Sequence, residues 1–176
     1  ITVAYDTSGT PITAEQMGCA GAMTVLLKDA LKPNLIQTLE GQPCFMHIGP
    51  FGNIAHGNSS IVADLVGRKV ADYVITEAGF GSDLGMEKFM DIVCRAGGFA
   101  PSAVVIVATA KALKHHAGLE DDPRNSVSEN LRAIETGSAN LERHILNVKE
   151  FGLPSVVAAN RFPGDTDEEV ARVPTL

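Results

Sequence analysis

Four stretches concentrate the residue types that can do chemistry: GPFGNIAHGNSS at 49–60, EAGFGSD at 77–83, TAKALKHHAG at 109–118 and NRFPGDT at 160–166. The second is the most informative. Gly79 and Gly81 would let the backbone approach a ligand closely, and a following helix would offer N–H groups to an anion. Glu77 stands where it could hold a metal or orient a water, while turn glycines with Asp83 as a helix cap are the competing reading. In the first stretch His56 precedes Asn58-Ser59-Ser60, which opens a helix whose N-terminus could seat an anion; Asn58 as a mere cap is the alternative. The third holds Lys111 and Lys114, candidates for a phosphate or carboxylate contact or for a solvated basic loop. Its His115 and His116 are adjacent, not three or four apart, so they do not share a helix face for a metal. In the fourth, the Asn160 amide could read a nucleobase edge and Phe162 could stack on a ring, with Asp165 and Thr166 as turn and cap.

The elements that must position these stretches follow from patterning. Residues 1–12 read as a short hairpin turning at Asp6–Gly9, and Thr13 with Gln16 forms a capping box that opens a helix running to Pro33. Short β-branched or small apolar runs follow at 44–48, 73–76, 103–108 and 155–159, as expected of strands buried on both faces. Helical patterns lie between them at 59–71, 84–95 and 127–151, the last opened by Ser126 and Glu129, broken at Gly137 and stopped at Gly152. Thr166 with Glu169 caps a final helix. The alternation predicts an α/β fold: a doubly wound, mostly parallel sheet with helices on both faces. Residues 1–43 would lead into a core spanning 44–176. Ligands bind such sheets outside the carboxyl ends of the strands, which is where the four stretches fall.

Composition narrows the partners. Of 176 residues, 45% are hydrophobic and 20% charged, which argues for a packed core. A net charge of −7 without a basic stripe makes a nucleic-acid partner a poor fit. No run approaches the roughly 20 apolar residues of a membrane helix, so no membrane partner is expected. Cys19, Cys44 and Cys94 match no metal or redox spacing and read as buried free thiols of a cytoplasmic protein. The sequence lacks GxxxxGK[ST], GxSxG and HExxH, and Gly85 falls one position too late to complete GxGxxG. A nicotinamide-dependent oxidoreductase is therefore a weak reading. The chain opens inside an apparent strand and stops just after a helix begins, as part of a longer protein would.

Longer segments carry a resemblance. AGAMTVLLKDALKPNLIQTLEG at 20–41, GPFGNIAHGNS at 49–59, TEAGFGSDLG at 76–85, VATAKALK at 107–114 and NRFP at 160–163 with Asp165 and Thr166 resemble the formate–tetrahydrofolate ligase family over essentially the whole chain. Departures fall at Gly52, at Ala110-Lys111 and at 116–118. The resemblance implies a P-loop NTPase-like core lacking its P-loop segment. It also implies ATP with Mg2+, a monovalent cation (K+ or NH4+), formate and tetrahydrofolate as substrates, formyl phosphate between them, and a homo-oligomer, usually a tetramer. Carried across position by position, Phe80 and Gly85 would line the reacting site with Gly52 beside them, and Asn160 and Phe162 would lie near the nucleotide. Asn53, His56 and Glu77 join the substrate side, and Gly81 the nucleotide side, by loop placement. The family's phosphate-binding Lys, its catalytic Arg and its pterin-stacking aromatics match nothing here, so no catalytic residue or metal ligand is assigned and the segment alone is expected to be inactive. A catalytically dead binding or scaffold protein descended from that family is the other reading.

Overall fold

The computed structural model describes residues 1–49, 55–120 and 122–173. They group into two compact units, residues 1–52 with 59–76 and residues 53–58 with 77–176.

The first unit opens with the expected hairpin, β1 (Thr2–Tyr5) antiparallel to β2 (Pro11–Thr13). Its turn is organised by Asp6, whose carboxylate accepts the Ser8 and Thr10 N–H groups at 2.8 and 2.9 Å. Thr13 and Gln16 do exchange capping bonds, but Gly18 at φ 71° closes a turn there, and helix α1 starts only at Ala20 (Ala20–Leu27). Apolar side chains lie all around α1, so no stripe selects an inward face, and none of its residues is buried.

The run at 44–48 is not a parallel strand. Strand β4 (Pro43–Met46) pairs antiparallel with β3 (Asn34–Gln37), in register from Asn34↔Met46 to Gln37↔Pro43. The turn between them, with Gly41 at φ 85° and the Thr38 hydroxyl accepting the Gln42 N–H, brings the chain straight back. Helix α2 (Ile61–Val70) is capped by Ser60, whose hydroxyl accepts the Ala63 N–H at 3.0 Å, and not by Asn58. The same hydroxyl lies 2.5 Å from Nδ1 of buried His47, whose Nε2 reaches the Ala30 carbonyl at 2.9 Å. Residues 73–76 belong to no described strand, and Tyr73 and Ile75 are 90% and 97% exposed.

The second unit holds one parallel pair, β5 (Val104–Ala108) and β6 (Ser155–Ala159), in register from Val104↔Ser155 to Ala108↔Ala159. Its first helical segment, α3 (Gly85–Lys88), runs through a π-helical stretch, Phe89–Cys94, into α4 (Arg95–Gly97), and ends on Gly98 at φ 68°. Helices α5 (Ala110–His116), α6 (Val127–Glu150) and α7 (Asp167–Arg172) complete it. Both expected capping boxes form, Ser126 with Glu129 and Thr166 with Glu169, and Gly152 ends α6 at φ 73°.

The core joins Ala108, Leu113, Ile134, Leu141 and Val173, backed by Ile106 and Val157 from the strands. Each large side chain taken from water there contributes about 1.5–3 kcal/mol. Gly137 does not break α6. It lets α5 approach, because a Cβ there would sit 1.9 Å from the Leu113 carbonyl oxygen. The strands are buried on one face only, since Val105, Val107 and Val156 on the other face are 64%, 66% and 63% exposed. The fold is α/β, with the described parallel strands confined to this pair.

Candidate functional site

At the carboxyl edge of the parallel pair, β5 delivers Thr109 and β6 delivers Asn160, whose N–H is taken by the Ala108 carbonyl at 2.8 Å. The third stretch is a helix, not a loop. Thr109 caps α5 through the Ala112 N–H at 3.0 Å, and Lys114 points inward. Its side chain is 4% exposed and its ammonium lies 3.2 Å from Glu169 Oε1, itself 2% exposed. Lys114 is therefore a structural partner and not a free phosphate contact. Burial alone would raise the Glu169 carboxyl, but the Thr166 N–H and the Lys114 ammonium outweigh it and hold the group below its ordinary value.

The fourth stretch is a turn built on Asp165, whose carboxylate accepts the Phe162 N–H at 2.8 Å; Arg161 closes it onto the Asp165 carbonyl and pairs with Asp167 at 2.7 Å. The Asn160 amide and the Phe162 ring, 46% exposed, stand out from it. A donor–acceptor amide beside an aromatic face suits a nucleobase.

The second stretch departs from the anion cradle. Leu84 N–H is taken by the Gly81 carbonyl at 3.2 Å and Gly85 N–H by the Gly79 carbonyl at 3.0 Å, so the N–H groups entering α3 serve the turn itself. Gly85 is required by this closeness, because a Cβ would lie 2.0 Å from Gly79 O. Gly81 is closely surrounded: a Cβ there would meet Asp83 Oδ1 at 2.6 Å and His144 Cε1 at 2.7 Å. Between them Phe80 takes φ 63°, a left-handed backbone that costs an ordinary residue about 1–2 kcal/mol, with its side chain 76% exposed. Glu77 is exposed.

The first stretch is described at Gly49 and from Ala55 onward. Gly52 and Asn53 lie outside the described residues, and His56 is exposed. Beside it Gly57, at φ 104°, seats this segment against the start of the π-helical stretch, where a Cβ would come within 2.1 Å of Phe89 N. Ile48, which leads into this stretch, shares with Phe80 a φ of 63°, and among the described residues these two are the non-glycine residues at positive φ.

The sequence reading missed the partners of the second stretch. Ser82 Oγ lies 2.7 Å from Nδ1 of His144 and accepts the Asn147 side-chain N–H at 3.1 Å, both residues on α6. Sequence separations of 62 and 65 left no local signal for either pair. These groups border an open hollow of about 440 Å³ with Asp83, Glu87 and Arg143. Among the described residues no group of three or more His, Cys, Asp or Glu could hold a metal ion. No helix among the described residues is long and apolar enough to cross a membrane.

The described residues hold an α/β unit with polar turns at the carboxyl edge of its parallel pair, the edge at which open parallel sheets bind ligands. Comparison makes this particular. A family model described as formate–tetrahydrofolate ligase matches residues 1–176. The formate–tetrahydrofolate ligase of Desulforamulus reducens is 58% identical over 97% of this chain and 31% of its own length. That of Beijerinckia indica is 60% identical over 96% of this chain and 30% of its own. The Haloarcula marismortui enzyme is 53% identical over 98% and 32%. The chain belongs to the formate–tetrahydrofolate ligase family, and it spans about a third of the length of the curated relatives it matches.

Proposed function

We propose that this chain is part of an ATP-dependent ligase that joins formate to tetrahydrofolate, and that the turn carrying Phe80 lines the reacting site. The observation that carries the reading is Phe80 itself, an aromatic side chain presented to solvent on a strained backbone by a turn whose glycines and hydroxyl are all engaged. Such strain does nothing for stability, and a flat heterocycle such as a pterin suits an exposed ring face. To the substrate side we allot Phe80, Gly85 and Glu77 and, from the family resemblance and loop placement in the sequence, Gly52, Asn53 and His56. Asn160 and Phe162 hold the base of ATP, with Gly81 allotted to the nucleotide side.

On this reading ATP phosphorylates formate to formyl phosphate, and N10 of tetrahydrofolate displaces the phosphate. The acyl phosphate must be kept from water, a task for closely packed turns. Mg2+ and a monovalent cation, K+ or NH4+, belong to the complete enzyme, whose homo-oligomeric assembly and cytoplasmic setting are part of the same reading. The open face of β5 and β6 supports the wider architecture. Parallel strands are rarely left bare, so Val105, Val107 and Val156 suit a doubly wound, P-loop NTPase-like sheet continued by other parts of a longer subunit.

The test is conversion of ATP, formate and tetrahydrofolate to 10-formyltetrahydrofolate, ADP and phosphate by the protein at its full encoded length. Turnover is expected there and not from residues 1–176 alone. Phe80→Ala should raise the KM for tetrahydrofolate about tenfold and leave that for ATP within about twofold. No formylated folate from the full-length protein, or robust turnover by the 176-residue segment alone, would overturn the proposal.

A further inference from the structure

The turn that carries Phe80 takes its shape from a helix far away in sequence. Ser82, 9% exposed, is its polar anchor. The Asn147 amide donates to the Ser82 oxygen at 3.1 Å, and His144 Nδ1 lies 2.7 Å from the same oxygen. Asp83 Oδ1 stands 3.9 Å from the same nitrogen. On the other side, the Gly85 N–H holds the Gly79 carbonyl. Phe80 sits between these two fastenings, and releasing either would let its backbone fall back to negative φ.

We propose that His144 and Asn147 are positioning residues, which from α6 fix the Ser82 hydroxyl and through it the left-handed backbone that presents Phe80. The inference rests on the reading of this turn as a wall of the reacting site. It assigns a binding consequence to two side chains that need not touch substrate. A cross-link that only holds the fold would affect every ligand alike. A positioning role acts on whatever meets Phe80 and depends on a hydrogen-bonding atom at the place of Nδ1.

The test uses the full-length protein with 4-fluorophenylalanine at position 80, read by fluorine NMR and by the separate KM values for tetrahydrofolate and ATP. Ser82→Ala and His144→Leu should move or split the fluorine line and raise the KM for tetrahydrofolate about tenfold, leaving that for ATP within about twofold. His144→Asn, whose amide can hydrogen-bond near the place of Nδ1, should restore both readings to within about threefold of the parent. Should the leucine variant fail to fold, Ser82→Ala, which removes one oxygen, decides alone. A fluorine line and KM unchanged in Ser82→Ala would overturn the proposal. So would equal damage from Asn and Leu at 144, or an equal rise of both KM values with the line in place. A moved line in a protein that forms no formylated folate in any version would sustain the clamp and defeat the ligase reading beneath it.

Discussion

The turns at 77–84 and 160–166 both lead into helices, and both present an aromatic side chain, yet different chemistry holds them. The first is fastened by a glycine carbonyl bonded to a glycine N–H, and by a serine hydroxyl shared by an imidazole and an amide more than sixty residues on. The second is fastened by charges, with Asp165 and Arg161 inside the turn. Its outgoing helix is tied down by the buried Lys114–Glu169 pair. A turn that closes on its own neighbours needs no surrounding fold to choose its shape. One pinned from a distant helix can be held in a conformation its own residues disfavour. The backbone angles agree: Phe80 is at φ 63°, whereas in the other turn the positive φ falls to Gly164.

The largest effect expected from breaking this contrast lies under the charged turn. Lys114→Met leaves the Glu169 carboxylate buried without its cation, and losses of that kind run to about 3–5 kcal/mol. Hydrogen exchange across 160–173 should rise steeply in this variant, while exchange across 77–90 changes far less. Equal loosening of both segments would mean that the two turns are not independently held. Gly85→Ala strikes the first turn. The new Cβ would overlap the Gly79 carbonyl, and a forced shift of this sort costs about 1–3 kcal/mol. Here exchange should rise across 77–90 and stay low across 160–173.

Acid sharpens the comparison with a smaller effect. The Glu169 carboxyl is held below its ordinary value despite burial, because the Thr166 N–H and the Lys114 ammonium favour its charged form. A depressed carboxyl contributes stability that is complete above the unfolded value, about 4.3, and is lost as pH falls through the lower folded one. Protection across 160–173 should therefore hold down to about pH 4 and decline below it. In Glu169→Gln that acid step should be missing; its persistence would assign the decline to another carboxylate.

How far each turn could be read in advance follows the same division. Asp165 as turn former and Thr166 with Glu169 as capping box were legible because partners three residues apart leave their mark in a short window. The parallel strands at 104–108 and 155–159 were legible from their β-branched runs. Other elements turned on contacts that no window contains. Gly137 reads locally as a helix breaker, and only the approach of Leu113 shows it to be a place where two helices meet. Lys114 reads as a solvent-facing cation until Glu169, 55 positions on, draws it inward. The apolar run at 44–48 was visible, but its direction was set by a five-residue turn that folds it back onto 34–37. At the second stretch the glycines stood out in the sequence, but the His144 imidazole that Gly81 meets lies far along the chain and left no local mark.

The smallest expected effect is the most discriminating, because it carries the opposite sign for stability and for function. Phe80→Gly removes a side chain that is 76% exposed and so surrenders little buried area. It also removes the Cβ that makes φ 63° unfavourable, a penalty of about 1–2 kcal/mol. Set against it is the greater freedom of glycine in the unfolded chain, about 0.5–1 kcal/mol. The variant should therefore be as stable as the parent or more stable by up to about 1 kcal/mol in denaturant unfolding of the full-length protein. Its KM for tetrahydrofolate should nevertheless rise as in Phe80→Ala. A gain in stability with a loss of binding would identify the strain at Phe80 as held for the ligand. A loss of stability would show instead that the ring is buried by another part of the longer subunit, and the contrast between the two turns would then be one of packing and not of strain.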